Sequence, residues 1–142
     1  FQWNVFNAHY RTGYDFDGVL CQDLTARDEA GGDYLQKIVS RPPLYLPRRR
    51  PIELIATARL AKYREATVTW LRRHNVRVKR LVMWEEPGEY RDRKKAISTF
   101  KAKAYKESNL ELFIESDATQ AREIAELSGR PVICTTTNEV FN

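Results

Sequence analysis

Apolar positions along the chain fall into two alternating rhythms. Short apolar runs lie around Tyr10 to Tyr14, at "IELIAT" (Ile52 to Thr57), "VKRLVM" (Val78 to Met83), "LELFIE" (Leu110 to Glu115) and "PVICT" (Pro131 to Thr135). Each has strand length. Between them come helical spacings. "LAKYREATVTWLRRH" sets Leu60, Tyr63, Thr67, Trp70 and Leu71 on one stripe, and "DRKKAISTFKAKAYKE" does the same with Ala96, Ile97, Phe100 and Ala104. "DATQAREIAELSG" groups Ala121, Ile124, Ala125 and Leu127, with Gly129 placed to end the helix. Strands alternating with helices predict an α/β domain: a five-stranded parallel sheet with helices on both faces, three layers in all. Such sheets bind ligands beyond the carboxyl ends of their strands.

The segment from Cys21 to Pro51 breaks the rhythm. "DYLQKIV" reads as one short helix, and "RPPLYLPRRRP" as extended or turning chain. The segment is too short for a large cap domain and reads as a small insert or flap. The length, 142 residues, suits one domain, residues 1–142. The 42% apolar share argues against disorder. No run has the length of a membrane span, and no signal-peptide pattern opens the chain. The first residue is Phe1, not Met, which reads as a piece of a longer polypeptide. Cys21 and Cys134 give neither a disulfide framework nor a zinc spacing; buried thiols in a reducing, cytoplasmic compartment are expected. His9 and His74 show no metal-ligand spacing. The net charge of +5 suits an anionic partner.

The chemistry gathers at the strand ends. The first run ends in Asp15-Phe16-Asp17-Gly18, the second in Ala56-Thr57-Ala58-Arg59, the fourth in Glu115-Ser116-Asp117. A lysine-rich helix lies between the third and fourth. A parallel sheet brings these ends to one edge. Carboxylates, a hydroxyl and an ammonium there suit phosphoryl transfer, with a hard cation offsetting carboxylate–phosphate repulsion. An EF-hand reading of Asp15 and Asp17 fails, because Gly18 comes too early.

In this setting "DFDGVL" resembles the first motif of the haloacid-dehalogenase (HAD) superfamily, "LIAT" its second and "LFIESD" an unusual form of its acidic fourth. The resemblance spans about Tyr10 to Cys134. "FQWN", "TARLAKYREATVTWL", "FKAKAY" and "LFIESDATQAREIAELSGRPVIC" also look like the carboxyl-terminal HAD-type domain of bacterial phosphoribosyltransferase-like proteins. "KYREATVTWL" and "FIESDATQA" are similar to the phosphatase domain of phage polynucleotide kinase. The resemblance implies a HAD-like Rossmannoid fold with minimal or no cap, and a Mg²⁺-dependent phosphatase. Its substrate would be a nucleotide, a sugar phosphate or a nucleic-acid end. An upstream phosphoribosyltransferase domain is implied as a possible partner, and no membrane.

On that resemblance Asp15 is the nucleophile and a metal ligand, and Asp17 the general acid and then base, with its main-chain carbonyl on the metal. Thr57 holds phosphoryl oxygens. Lys101 is the third-motif lysine, with Lys95 as runner-up and Lys103 flanking the same face. Glu115 completes the metal site, with Asp117 as a second acid. Ala58, Arg59 and Lys95 join Thr57 and Lys101 in substrate binding; Arg64 and Arg91 are further phosphate contacts. The chain departs from the usual pattern at the fourth motif, with Glu115 where Asp is common and Ser116 after it. That departure keeps a second class open: a non-catalytic HAD-like domain that binds a phosphorylated ligand or partner. The plainer readings are an acidic turn for Asp15 and Asp17, a strand terminus for Thr57 and a solvated face for Lys101. For Glu115 and Asp117 the plainer reading is acids at a helix start. Trp70 and Trp84 read as packing, and Arg48-Arg49-Arg50 as a solvated loop. No interleaving of aromatic and basic residues marks a nucleic-acid stacking platform.

Overall fold

The computed structural model describes residues 11–87 and 93–142. His9, Tyr10, Arg91 and the opening Phe1 to Asn4 lie outside the described residues. In chain order the elements are β1 (Thr12–Tyr14), α1 (Ala26–Ala30), α2 (Tyr34–Ser40), β2 (Leu54–Leu60) and a 3-10 turn (Ala61–Tyr63). There follow α3 (Arg64–Arg73), β3 (Leu81–Trp84), a second 3-10 turn (Lys94–Ala96), α4 (Ile97–Glu107) and β4 (Leu112–Glu115). The chain continues through α5 (Ala118–Ser128), β5 (Val132–Cys134) and β6 (Glu139–Phe141). The architecture is mixed α/β, with a six-stranded sheet in the order β3-β2-β1-β4-β5-β6. Its first five strands pair in parallel; β6 runs antiparallel to β5.

That sixth strand corrects the five-stranded expectation. The polar run Thr135 to Asn138 makes the turn, and Asn138 takes a positive φ of 58°, a conformation Asn tolerates. β6 packs mainly through Phe141, so it carries almost no apolar signal.

Alternation along β2 divides the core. Ile55 joins Tyr14, Phe16, Trp70, Leu71 and Ile114 in one buried cluster. Its neighbours Leu54 and Ala56 join Ala102, Tyr105, Phe113 and Ile124 in another. Successive strand residues point to opposite faces, so the two clusters lie on opposite sides of the sheet. Gly13 serves the second cluster: a Cβ there would come within 2.9 Å of the Phe113 ring. Trp70 is fully buried, meets Phe16 edge-on at 5.2 Å and donates its indole N–H to the Arg41 carbonyl at 2.7 Å. It thereby fastens the insert to α3.

Local signals explain the helices. Gly129, at φ 71°, ends α5 and returns its N–H to the Ala125 carbonyl. Leu127, grouped with the core stripe in the sequence, is instead half exposed, whereas Ser128 is buried. Phe100 is half-buried and packs on Trp84 at 5.1 Å. The insert holds two helices rather than one. α1 begins with a reciprocal cap between Thr25 and Asp28, and Lys37 of α2 reaches Asp28 at 2.9 Å. The Thr25 backbone N–H and Lys37 hold the Asp28 carboxyl well below the usual carboxylate range.

Candidate functional site

The strand order reverses at β1: β2 lies on one side of it and β4 on the other. Chain connections diverge there, and a crevice opens beyond the carboxyl ends. It encloses a cavity of about 100 Å³. Asp15, Asp17, Thr57, Lys101, Glu115 and Asp117 all line it, as do Ala58 and Arg59. Residues as far apart in sequence as Asp15 and Asp117 thus meet in one place.

Lys101 is central. It is 3% exposed, and its ammonium lies 3.0 Å from Asp15 and 2.8 Å from Glu115. It also donates to the Gln120 side-chain oxygen at 2.9 Å. Its selection over its neighbours follows from helical geometry. Lys103 is two residues on, about 200° around the helix, and is exposed. Lys95 sits in the 3-10 turn, is exposed and does not line the crevice, which corrects its assignment to substrate binding.

Burial first, then the neighbouring Glu115 charge, raises the Asp15 carboxyl well above its ordinary value, against the opposing pull of Lys101. Burial opposes the charge on Lys101, but Asp15 and Glu115 outweigh it and hold the ammonium protonated. The physical content is a shortage of positive charge: two buried carboxylates face one ammonium.

Asp17 is held differently. Arg59 grips its carboxylate through Nε at 2.9 Å and Nη2 at 2.6 Å. This fork is a bidentate, charge-assisted contact. Arg59 is itself 3% exposed, lies 4.1 Å over the Phe16 ring and donates to Thr67 at 3.2 Å. The sequence reading placed Arg59 on substrate; in the structure its side chain is committed to Asp17. Thr57 is buried and its hydroxyl oxygen accepts the Arg59 backbone N–H at 3.2 Å. Arg64 points away and donates to the Leu81 carbonyl.

Glu115 turns one oxygen to Lys101 and the other to its own turn, where the Ser116 and Asp117 backbone amides donate at 2.9 and 3.2 Å. The Ser116 hydroxyl donates to the Asp17 carbonyl at 3.3 Å. Gly18 adopts φ 78°, and a Cβ there would collide with the Ser116 hydroxyl oxygen. Asp117 borders the crevice, but its carboxylate accepts the Gln120 N–H at 2.9 Å and caps α5. It is exposed and occupied as a cap, so its assignment as metal ligand is not supported by where its side chain points.

The insert contributes walls that sequence reasoning missed. Asp23, Glu29 and Tyr34 face the crevice, and Arg93 closes on Glu29 with two contacts of 2.9 and 2.6 Å. These partners are 64 residues apart, a separation no local pattern encodes. Gln120 had a signal: it stands in the first turn of the helix that follows the fourth acidic stretch.

Among the described residues, six carboxylates and three cations line the crevice, a formal excess of three negative charges. Among the described residues, no three His, Cys, Asp or Glu side chains converge as a ready-made cage. Mg²⁺ needs none, since it binds through one or two carboxylates, waters and substrate phosphate oxygens. Hard oxygen donors with excess negative charge fit such an ion. Cys21 and Cys134 are free thiols, both buried. Among the described residues no helix is long and apolar enough to cross a membrane.

No protein-family model, curated protein or solved structure matches this chain.

Proposed function

We propose that this chain is a Mg²⁺-dependent phosphohydrolase of the HAD type, a three-layer α/β/α domain with only a small insert over its site. The observation that carries the reading is the meeting of Asp15, Thr57, Lys101 and Glu115 around one crevice at the carboxyl ends of β1, β2 and β4. The substrate class is a phosphate monoester: a nucleotide, a sugar phosphate or a nucleic-acid end.

In the first step an Asp15 oxygen attacks phosphorus, and the bond from phosphorus to the leaving oxygen breaks. Asp17 gives that oxygen its proton, which requires its carboxyl to be protonated and one of the two Arg59 contacts to be released. Water then attacks the aspartyl-phosphate at phosphorus, Asp17 takes the water's proton, and the bond to Asp15 breaks to release inorganic phosphate. Arg59 fixes the direction of the Asp17 oxygens. Lys101 and the Thr57 hydroxyl hold the phosphoryl oxygens. Asp15, the Asp17 main-chain carbonyl and Glu115 would hold Mg²⁺, which supplies charge neutralisation of the phosphoryl group.

A binding-only reading has one observation in its favour. Both Glu115 oxygens are already engaged, by Lys101 and by two backbone amides. Such a domain would hold a phosphorylated ligand or partner without turning it over. Hydrolysis of a generic aryl phosphate, with Mg²⁺ and with EDTA, separates the two. The hydrolase reading expects metal-dependent turnover, abolished by Asp15→Asn and slowed roughly 10²–10⁴-fold by Asp17→Asn. Beryllium fluoride should bind the wild type as a phospho-enzyme mimic. Full activity in Asp15→Asn overturns the mechanism; absence of turnover with retained phosphate binding favours the second reading.

A further inference from the structure

The two ends of the sheet carry opposite charge. The crevice at the carboxyl edge has its excess of acids. At the amino edge, the loop entering β2 brings Arg48, Arg49 and Arg50, and the link from α3 to β3 brings Arg72, Arg73, Arg77, Lys79 and Arg80. All eight are exposed. The two segments are stitched together: the Ile52 N–H donates to the Arg77 carbonyl, and the Lys79 N–H to the Ile52 carbonyl, each at 2.8 Å. Ile52 and Val78 also form a parallel bridge. The eight cations therefore form one corner, under β2 and β3. The single acid in these segments is Glu53, which pairs with Lys79 at 2.9 Å.

Helix complementarity accounts for Arg72 and Arg73, which lie in the last turn of α3. Arg77 and Arg80 lie beyond that helix, as do Arg48, Arg49 and Arg50, while Lys79 is paired with Glu53. Seven of the eight are Arg, the side chain whose planar fork matches phosphate oxygens in pairs. Neither segment contains any of the large exposed apolar residues, so nothing there enters a lipid surface. Among the described residues of these two segments no aromatic is exposed to stack a base; Trp70 is buried, and His74 lies against it. What remains is recognition of closely spaced phosphates without reading sequence.

We propose that this corner is a binding face for the phosphate backbone of a nucleic acid, separate from the crevice. Ile52, where the two segments meet, stands five residues before Thr57 at the crevice, about 17 Å along extended chain. A strand held at the corner is thus an anchor for the domain and not the group in the crevice. The face draws on association by charge and counterion release, so its affinity is steeply salt-dependent.

The test is fluorescence anisotropy with a labelled DNA duplex of about 20 base pairs, bearing hydroxyl ends and no terminal phosphate, in EDTA. A face that neutralises about four phosphates should lose roughly a hundredfold in affinity between about 50 and 200 mM salt. The triple variant Arg72→Glu, Arg77→Glu, Arg80→Glu alters exposed residues only; circular dichroism checks that it folds. It should bind at least tenfold more weakly, while Asp15→Asn binds as the wild type does. The triple variant should hydrolyse a small aryl phosphate as the wild type does, and the binding result stands whether or not hydrolysis is found. Undetectable duplex binding at low salt, equal binding by the triple variant, or loss of binding in Asp15→Asn would each overturn the proposal. So would tighter capture by vesicles containing phosphatidylserine, which would assign the corner to lipid headgroups.

Discussion

Replacing Lys101 by Met tests the charge balance of the crevice directly. Met keeps most of the apolar stem and removes the ammonium. In the wild type that ammonium lies 3.0 Å from Asp15 and 2.8 Å from Glu115, with all three side chains buried. At an effective dielectric near 20 each contact is worth about 5 kcal/mol of attraction before desolvation is subtracted. The variant strands two carboxylates beside each other without a counter-charge, a change that costs about 3–5 kcal/mol in comparable sites. For a chain of this size the loss lowers Tm by roughly 6–20 °C. Urea and thermal unfolding in EDTA near neutral pH would measure it. Adding Asp15→Asn to the variant should restore most of the loss, because one neutral amide then replaces one of the two stranded charges. The pH dependence has a definite sign. Burial and Glu115 raise the Asp15 carboxyl above its unfolded value, so the folded chain binds more protons between the two values. Stability in that window grows as pH falls and is lost as pH rises through the folded value. Without Lys101 the carboxyl rises further, and Asp17 and Glu115 remain to repel it, so the deficit should shrink on going from about pH 8 to pH 5. A loss under about 1 kcal/mol, or no rescue by Asp15→Asn, would refute the argument.

Gly18→Ala should destabilise the fold by at least about 1 kcal/mol, since φ is positive there and the new methyl meets the Ser116 side chain; equilibrium denaturation reads it. Asp117→Ala should cost about 1 kcal/mol through loss of the α5 cap and leave Mg²⁺ affinity nearly unchanged, whereas a large loss of affinity by calorimetry would restore it as a ligand. Asp15→Asn should weaken Mg²⁺ binding in the same titration, and equal affinity would remove Asp15 from the metal site. Arg59→Met should lower kcat toward a phosphate monoester with little change in KM, because its two contacts fall on Asp17; a pure KM effect would place Arg59 on substrate instead.

The convergence of Asp15, Thr57 and Glu115 was legible because each closes an apolar run, and parallel strands bring their ends together. Lys101 was legible only in part: it borders the apolar stripe of its helix, but Lys103 flanks the same face, and the resemblance at "FKA" decided between them. Other features left no local trace. Arg59 and Asp17 are 42 residues apart, and "TAR" reads as well toward solvent or substrate as toward a partner acid. α1 buries no residue, so "ARDEA" has no apolar period to betray it. Asp117 serves a helix start, and a carboxylate one turn from a strand end reads alike in either role until the backbone is in view.

The central strand has a consequence for how the chain comes to be folded. β1 pairs with β4 in the register Thr12 to Leu112, Gly13 to Phe113 and Tyr14 to Ile114. A ribosome must therefore deliver about a hundred further residues before β1 gains its second neighbour, and closing so long a loop delays the step. Until then β1 offers an open edge on that side, the kind of surface that recruits other chains, and holdase chaperones have reason to visit it. The crevice matures with that same late pairing, since Glu115 arrives at the end of β4. A nascent chain released too early would carry both acids of "DFD" but not the lysine and glutamate that give them a setting.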